Sequence, residues 1–309
     1  MKLNKYKIVI VFILTIISYT TNAQQDEQSS MYMFNPLQFN PAYAGSRGEI
    51  NAVGIVRSQW VGINGAPKSQ FFSINSPLNM TNMSLGMHVS NDQIGARNRT
   101  CFYGDYAYTL RFAKRRKLNF GLSGGGEQMT VDFQKLIATD PTETDYLQSF
   151  SQFNFNIGAG AYYFGDNFYV GLSVPRFIQS KLKTAGIVLD NSYIKRHYFL
   201  TAGYVKPINS VIDLKTSFLL KVVENAPVTL DLNANLFFYK TLWIGAMYRF
   251  NESVGVNVAY QMKESLMFGY AFDYPINGLS SVRNLGSHEV MLSYSLSGKN
   301  KSFGSPRYF

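Results

Sequence analysis

The sequence predicts an all-β protein, a transmembrane antiparallel β-barrel closed by about fourteen strands. Three observations predict it. Apolar and polar residues alternate with a period of two along most of the chain, where a helical face would repeat every 3.6. The chain opens with an export leader. Beyond that leader no apolar stretch is long enough for a spanning helix, although 46% of residues are apolar, 15% aromatic and only 16% charged. Inside lipid every backbone N–H and C=O must be paired within the protein, so a chain without spanning helices crosses as a closed barrel.

The leader comes first. Lys2, Lys5 and Lys7 form a positive start, Ile8 to Ile17 is apolar, and Thr21-Asn22-Ala23 sets small residues at −3 and −1 of a cleavage site. The apolar run falls short of the roughly 20 residues a spanning helix needs. Residues 1–23 are therefore expected to be a signal peptide cut after Ala23, not a retained anchor. The leader carries three of the 29 Lys and Arg and none of the 19 acids, so the mature chain keeps a formal charge of +7. That balance suits an anionic membrane surface, with outer-membrane lipid as a partner, and an exported chain meets no nucleic acid. The lone Cys101 excludes an internal disulfide framework and a cysteine-based zinc site. It is expected buried in a strand, facing lipid or a neighbour.

Strands are expected, in chain order, near 49–60, 69–76, 83–90, 100–112, 117–129, 152–164 and 167–175. They continue near 197–205, 211–223, 228–238, 241–250, 253–261, 265–274 and 287–297. The alternation is plain in several. Met83, Leu85, Met87 and Val89 oppose Ser84, Gly86, His88 and Ser90. Phe102, Tyr106, Tyr108, Leu110 and Phe112 oppose Asp105, Thr109 and Arg111. Val228, Leu230, Leu232, Ala234, Leu236 and Phe238 share one face, and Thr229, Asp231, Asn233 and Asn235 the other. Val254 to Gln261, Leu266 to Tyr274 and the closing strand Glu289 to Leu296 repeat the pattern. Such strands face apolar side chains to lipid and polar ones to the lumen.

Connection lengths support this count. With both barrel ends in the periplasm, outward connections at 61–68, 91–99, 130–151, 176–196 and 275–286 should be long. Periplasmic turns at 113–116, 165–166, 206–210, 239–240 and 262–264 should be short. The alternation mostly holds, though 251–252 is short on the outside. A secreted β-sandwich would also alternate, but strand number, aromatic density and aromatics near strand ends disfavour it. The chain thus divides into a signal peptide at 1–23, an N-terminal segment at 24–47, an outer-membrane barrel at 48–297 and a periplasmic C-terminal tail at 298–309.

The N-terminal segment is neither strand nor low-complexity linker. In Tyr32-Met33-Phe34-Asn35-Pro36-Leu37-Gln38-Phe39-Asn40-Pro41-Ala42-Tyr43-Ala44-Gly45, two Asn-Pro steps restrict the backbone and favour turns. Its aromatics supply anchors. A stiff, aromatic segment before the first strand could fold into the lumen as a plug or form a partner-binding edge.

Chemistry of other kinds is thinly supported. Gly121-Leu122-Ser123-Gly124-Gly125 matches the G-x-S-x-G pattern, but it sits inside an alternating strand instead of a strand–turn–helix elbow. Its small residues are better read as making room in the lumen. His88, His197 and His288 have no metal-ligand spacing, and Asp140, Glu143 and Asp145 lack a known calcium-loop spacing. No catalytic residue, metal centre or cofactor is expected. Lys114-Arg115-Arg116-Lys117 marks a basic periplasmic turn, a solvated edge or a docking point for an acidic partner or lipid head groups.

The sequence resembles the PorP/SprF family of type IX secretion system membrane proteins from the Bacteroidetes. The resemblance starts at Tyr32 to Gly45 and runs through Arg57, Gln59-Trp60-Val61-Gly62, Gly65-Ala66-Pro67-Lys68 and Ser73 to Leu78. Asn91 to Gly95 and Asp105 to Tyr108 extend it. It thins between roughly 130 and 285, then returns at His288-Glu289 to Tyr294 and Ser305 to Phe309. It implies an outer-membrane barrel of the type IX secretion or gliding machinery that supports secretion or surface attachment of particular cargo. The partners implied are adhesins bearing type B C-terminal sorting domains and the periplasmic ring or motor components. It also marks Tyr32, Phe34, Asn35, Pro36, Asn40, Pro41, Tyr43, Gly45, Trp60, Arg307, Tyr308 and Phe309 as plug or partner-binding residues. The alternatives are a porin-like or hydrophobic-substrate transporter, since fourteen strands enclose a conducting lumen unless plugged, and an outer-membrane hydrolase.

Overall fold

The computed structural model describes residues 27–78, 81–113, 115–132, 149–184, 187–193, 195–224, 226–262, 265–278 and 284–296. The expected signal peptide, the C-terminal tail and the acids Asp140, Glu143 and Asp145 lie outside these residues.

Strands β1 (Ile50–Ser58), β2 (Lys68–Pro77), β3 (Met83–Ile94), β4 (Arg97–Ala113), β5 (Arg116–Val131), β6 (Phe150–Phe164) and β7 (Phe168–Val174) build the first half of the wall. A short hairpin, β8 (Lys181–Thr184) and β9 (Ile187–Tyr193), stands apart as its own two-stranded sheet. The second half is β10 (His197–Pro207), β11 (Ile212–Val223), β12 (Thr229–Phe238), β13 (Leu242–Arg249), β14 (Ser253–Met262), β15 (Leu266–Pro275) and β16 (Ser287–Leu296). Neighbouring wall strands pair antiparallel, β10 pairs β7, and β1 pairs β16 from Ile50↔Leu296 to Ser58↔His288, which closes a fourteen-stranded barrel. Each wall strand falls on an interval the alternation predicted.

Two connections differ from expectation. Residues 91–99 are not a loop: β3 and β4 continue to a two-residue turn at Gly95-Ala96, and Asn91 Nδ2 donates to Asn98 Oδ1 and Thr100 Oγ1, each at 2.8 Å. Asn and Asp there resemble turn formers, yet their side chains bond across the strands. The connection 176–196 is long, as expected, but carries the β8–β9 hairpin.

The period of two has the orientation expected of a membrane barrel. Phe153, Leu122 and Val256 point outward and are 64%, 62% and 58% exposed, within a band that includes Val56, Phe102, Ile244, Tyr260 and Val290. A soluble monomer rarely shows so much contiguous apolar surface. On the inward face of β16 lie Ser287, Glu289, Met291, Ser293 and Ser295, all buried. Cys101 is buried in its strand as expected, but its facing corrects the expectation. It alternates with outward Phe102 and faces inward, 3.9 Å from Glu127 Oε2.

The apolar clusters sit inside the ring of strands. One joins Met31, Tyr32, Met33, Phe34 and Phe39 to wall residues including Phe199, Phe237, Trp243 and Met291. The other joins Leu37, Ala42, Tyr43 and Ala44 to Ala107, Tyr162, Phe164, Tyr169 and Val205.

Candidate functional site

The site is the N-terminal segment and its seat. Residues 27–49 run from the long-connection end of the barrel, beside Glu289, to the short-turn end, where β1 begins. Three single turns of 3-10 helix shape the run: Tyr32–Phe34, Pro36–Gln38 and Pro41–Tyr43. Each proline opens its turn, where a missing N–H costs nothing, behind an asparagine held out of the helical region, with φ −134° at Asn35 and −137° at Asn40. Asn40 Oδ1 caps its turn by accepting from Ala42 N at 3.0 Å. Backbone bonds such as Asn35 N to Tyr32 O at 3.1 Å and Tyr43 N to Asn40 O at 3.1 Å pair the segment with itself, so it is buried without orphaned donors at these points. Gly45 takes φ +69° and donates to Asn75 Oδ1 at 3.0 Å.

The seat is cut by glycines. A Cβ on Gly121 would strike the Ala42 backbone, and one on Gly160 or Gly171 the Asn40 side chain. Gly269 gives Met31 the same clearance. Asn40 Nδ2 donates to Ala161 O at 3.2 Å, and Asn119 Nδ2 donates to Ala42 O at 3.0 Å. Gly121 therefore serves close packing, and the G-x-S-x-G match lies within β5 with no elbow.

Aromatic pairs fix the long side chains. Phe34 meets Trp243 edge-on at 5.8 Å, and Trp243 stacks on Phe237 at 4.0 Å. Lys215 Nζ lies 5.9 Å from the Phe34 ring and 5.5 Å from Trp243, within cation–π range. Phe39 stacks on Phe199 at 5.5 Å, and Tyr43 meets Tyr162 edge-on at 5.5 Å. Tyr32 Oη accepts from Asn233 Nδ2 at 3.1 Å, and Ser73 Oγ donates to Asn35 Oδ1 at 2.6 Å. Burial pushes the Tyr32 and Tyr43 phenols above their ordinary value, so both stay neutral.

At the long-connection end the segment enters an ion network. Arg57 Nη1 bridges Asp273 Oδ1 at 2.7 Å and Glu289 Oε2 at 3.1 Å, with side-chain exposures of 1%, 4% and 0%. Glu289 also accepts from Ser29 Oγ at 2.6 Å, Ser30 N at 2.8 Å and Met31 N at 2.9 Å. Ser30 Oγ donates to Asp273 Oδ1 at 2.7 Å. Buried ions are costly unless their remaining sites are filled. Here the segment supplies donors to both carboxylates, while Arg57 Nε has no hydrogen-bond partner among the described residues. Arg249–Asp231 at 2.9 Å and Arg99–Glu127 at 2.7 Å are two further buried pairs.

Of the residues singled out in the sequence, Tyr32, Phe34, Asn35, Pro36, Asn40, Pro41, Tyr43 and Gly45 come together inside the ring. Trp60 stands apart in the 59–67 connection, with φ +44° and its N–H 3.4 Å from Ser287 Oγ. Arg307, Tyr308 and Phe309 lie outside the described residues. In the basic turn, Arg115 pairs with Asp166 at 3.0 Å while 82% exposed, and a pair so open to solvent contributes little. His88 pairs with Asp105 at 2.9 Å and His288 with Tyr270, away from each other. Among the described residues, no group of three or more His, Cys, Asp or Glu could hold a metal ion. Sequence reasoning passed over Ser29, Ser30, Asp273, Lys215, Trp243 and the seat glycines. For Asp273, Lys215, Trp243, Gly160 and Gly171 the one signal was an inward position on an alternating strand. Ser29 and Ser30 precede the first strand and carried none, and Gly121 reads in the sequence only as making room in the lumen.

A closed antiparallel wall, apolar outside and polar inside, defines a transmembrane β-barrel of the outer-membrane type. The particular family is fixed by the sequence: the chain belongs to the type IX secretion system membrane protein family PorP/SprF, whose model matches residues 21–294. No curated protein matches the chain in sequence. Among solved structures it is similar to the Ralstonia pickettii toluene transporter TbuX, at 10% identity and a TM-score of 0.49, over 90% of this chain and 96% of that one. It is also similar to the Acinetobacter baumannii outer membrane protein Omp33, at 11% identity and a TM-score of 0.46, over 81% and 99%. These are distant likenesses and say nothing about what this barrel carries. Membership in the family implies partnership with components of the type IX secretion machinery.

Proposed function

We propose that this barrel supports secretion or surface attachment of specific type IX cargo, adhesins with type B C-terminal sorting domains, and that residues 27–46 keep its lumen shut while it does so. On this reading the mature chain is exported through cleavage after Ala23, and its short-turn end faces the periplasmic ring or motor components. The observation that supports it is the seating of Asn40 between Gly160 and Gly171 with Glu289 saturated by Ser29, Ser30 and Met31. A lumen meant to conduct would not spend its glycines and its buried carboxylates on holding a peptide. The porin-like alternative is disfavoured on the same ground. On this reading the long connections face outward and hold a secreted domain, where aromatic and Arg side chains would concentrate binding energy.

A mild-detergent pull-down of the tagged native barrel, with mass spectrometry of the co-purifying proteins, tests the cargo reading. Recovery of a large secreted protein with a C-terminal sorting domain, together with ring or motor subunits, is the expected result. A barrel recovered alone, with steady single-channel conductance in planar bilayers, would replace this reading with the transporter.

A further inference from the structure

The outward face is not uniform. Between β10 and β13 two neighbouring cross-strand rows differ in size. One runs through Thr216, Ala234 and Ala246, directly paired in register. The row on its long-connection side runs through Phe218, Leu232 and Tyr248, likewise paired. Small residues beside large ones leave a groove of about 690 Å³ in the lipid-facing wall, with Tyr204 at one end. Lipid must fill such a groove, because a void there forfeits contacts on one side.

Two cations stand at the short-turn side of the groove. Lys206 is the next outward residue of β10 after Tyr204, exposed, and level with Leu214. Among the described residues it meets no carboxylate. Lys240, also exposed, lies in the β12–β13 turn beside Tyr239, which is 75% exposed. Both turn residues hold left-handed φ, 48° and 52°, in a hairpin turn that normally takes Gly, Asn or Asp. The fold thus keeps a bulky aromatic and a cation where glycine would sit without strain. Tyr and Lys are the side chains that settle at the head-group level of a bilayer.

We propose that the groove is a binding site for one phospholipid, with an acyl chain over Thr216, Ala234 and Ala246 and the phosphate at Lys206. The site is independent of the cargo assignment and needs only a barrel in a bilayer.

The test is native mass spectrometry of the full-length mature barrel, released from outer membranes in mild detergent. The protein is stripped of lipid and titrated with palmitoyl-oleoyl phosphatidylglycerol, with phosphatidylethanolamine of the same chains, and with inorganic phosphate. One phospholipid per barrel should survive detergent removal, and phosphate alone should not bind. Ala234→Leu with Ala246→Leu should abolish retention while the barrel still migrates as folded in unheated gels. Lys206→Gln should weaken retention of the phosphatidylglycerol about fivefold, the factor one lysine contributes at an anionic lipid surface. Equal retention by the leucine variant, or retention unchanged by Lys206→Gln, would overturn the proposal. A dimer lost in the leucine variant would also overturn it, assigning the groove to a second copy of the chain. Should the leucine variant fail to fold, the Lys206→Gln result decides alone.

Discussion

The Glu289 carboxylate accepts the backbone N–H of Met31 at 2.9 Å, so the strand that closes the barrel also grips the segment that precedes its first strand. Closure of the wall and seating of the segment share one residue. Glu289→Ala removes four acceptor contacts and leaves Arg57 with Asp273 as its one carboxylate in the network, beside Ser30 Oγ. Breaking a buried pair in this way costs about 3–5 kcal/mol. The variant should lose its heat-resistant gel mobility at a lower temperature, and protease should trim its N-terminus toward Gly48. Wild-type resistance in both assays would mean that the network is not what holds the segment.

The glycine seat gives a sharper separation of wall from segment. Gly121→Val adds bulk where the Ala42 backbone passes, without altering any outward residue. Expected is a folded barrel with a displaced segment: protease-sensitive at its N-terminus and conducting in planar bilayers. Gly124→Ala is the outward-facing control on the same strand, since a Cβ there meets nothing within 4 Å. A silent Gly121→Val barrel with a protected N-terminus would show that the segment has room to spare.

Trp243 reports how much the inner aromatic stack contributes. It is 1% exposed, stacked on Phe237 and met edge-on by Phe34. Trp243→Ala should destabilise the barrel by about 3–5 kcal/mol, the range for emptying a buried aromatic site. Urea titration of the folded gel band measures this. Phe153→Ala, on the outward face, should move the midpoint far less.

The outward face makes the opposite demand. Val256 is 58% exposed near the middle of β14, between inward Gly255 and Asn257. Val256→Arg should cost about 2–4 kcal/mol in a bilayer, as an arginine does at the midplane of a barrel's lipid face. The loss should shrink when the same variant is unfolded from detergent micelles. An equal loss in both media would mean that Val256 does not meet hydrocarbon.

Much of the wall was legible in the sequence because alternation assigns every residue of a strand to one of two faces. Val228 to Phe238 therefore gave both a strand and its orientation. The same rule said nothing about who meets whom across the lumen. Arg57, Asp273 and Glu289 come from β1, β15 and β16, and only barrel closure joins them. The Asn-Pro segment stood out because proline constrains its neighbours locally. Its seat did not, since Gly121, Gly160 and Gly171 look like ordinary small lumen residues until Asn40 and Ala42 lie against them. Trp60 shows the converse: its place in the family pattern suggested a unit with the segment, and the fold sets it in another connection.

Asn40 offers the last and most discriminating substitution, because its two side-chain ends have different partners. Oδ1 accepts from Ala42 N and Nδ2 donates to Ala161 O. Asn40→Asp keeps the cap, loses the donor and places a carboxylate beside the Ala161 carbonyl, with Gly160 and Gly171 closing off water. Asn40→Ala loses both bonds but brings no charge; loss of a cap alone costs about 0.5–2 kcal/mol. If the wall contact seats the segment, Asp should be the worse of the two. Exchange of the backbone amides of residues 42–46, followed by hydrogen–deuterium mass spectrometry, should rise more in Asn40→Asp than in Asn40→Ala. The reverse order would mean that Asn40 acts by capping its own turn, and that the bond to Ala161 results from the seating instead of causing it.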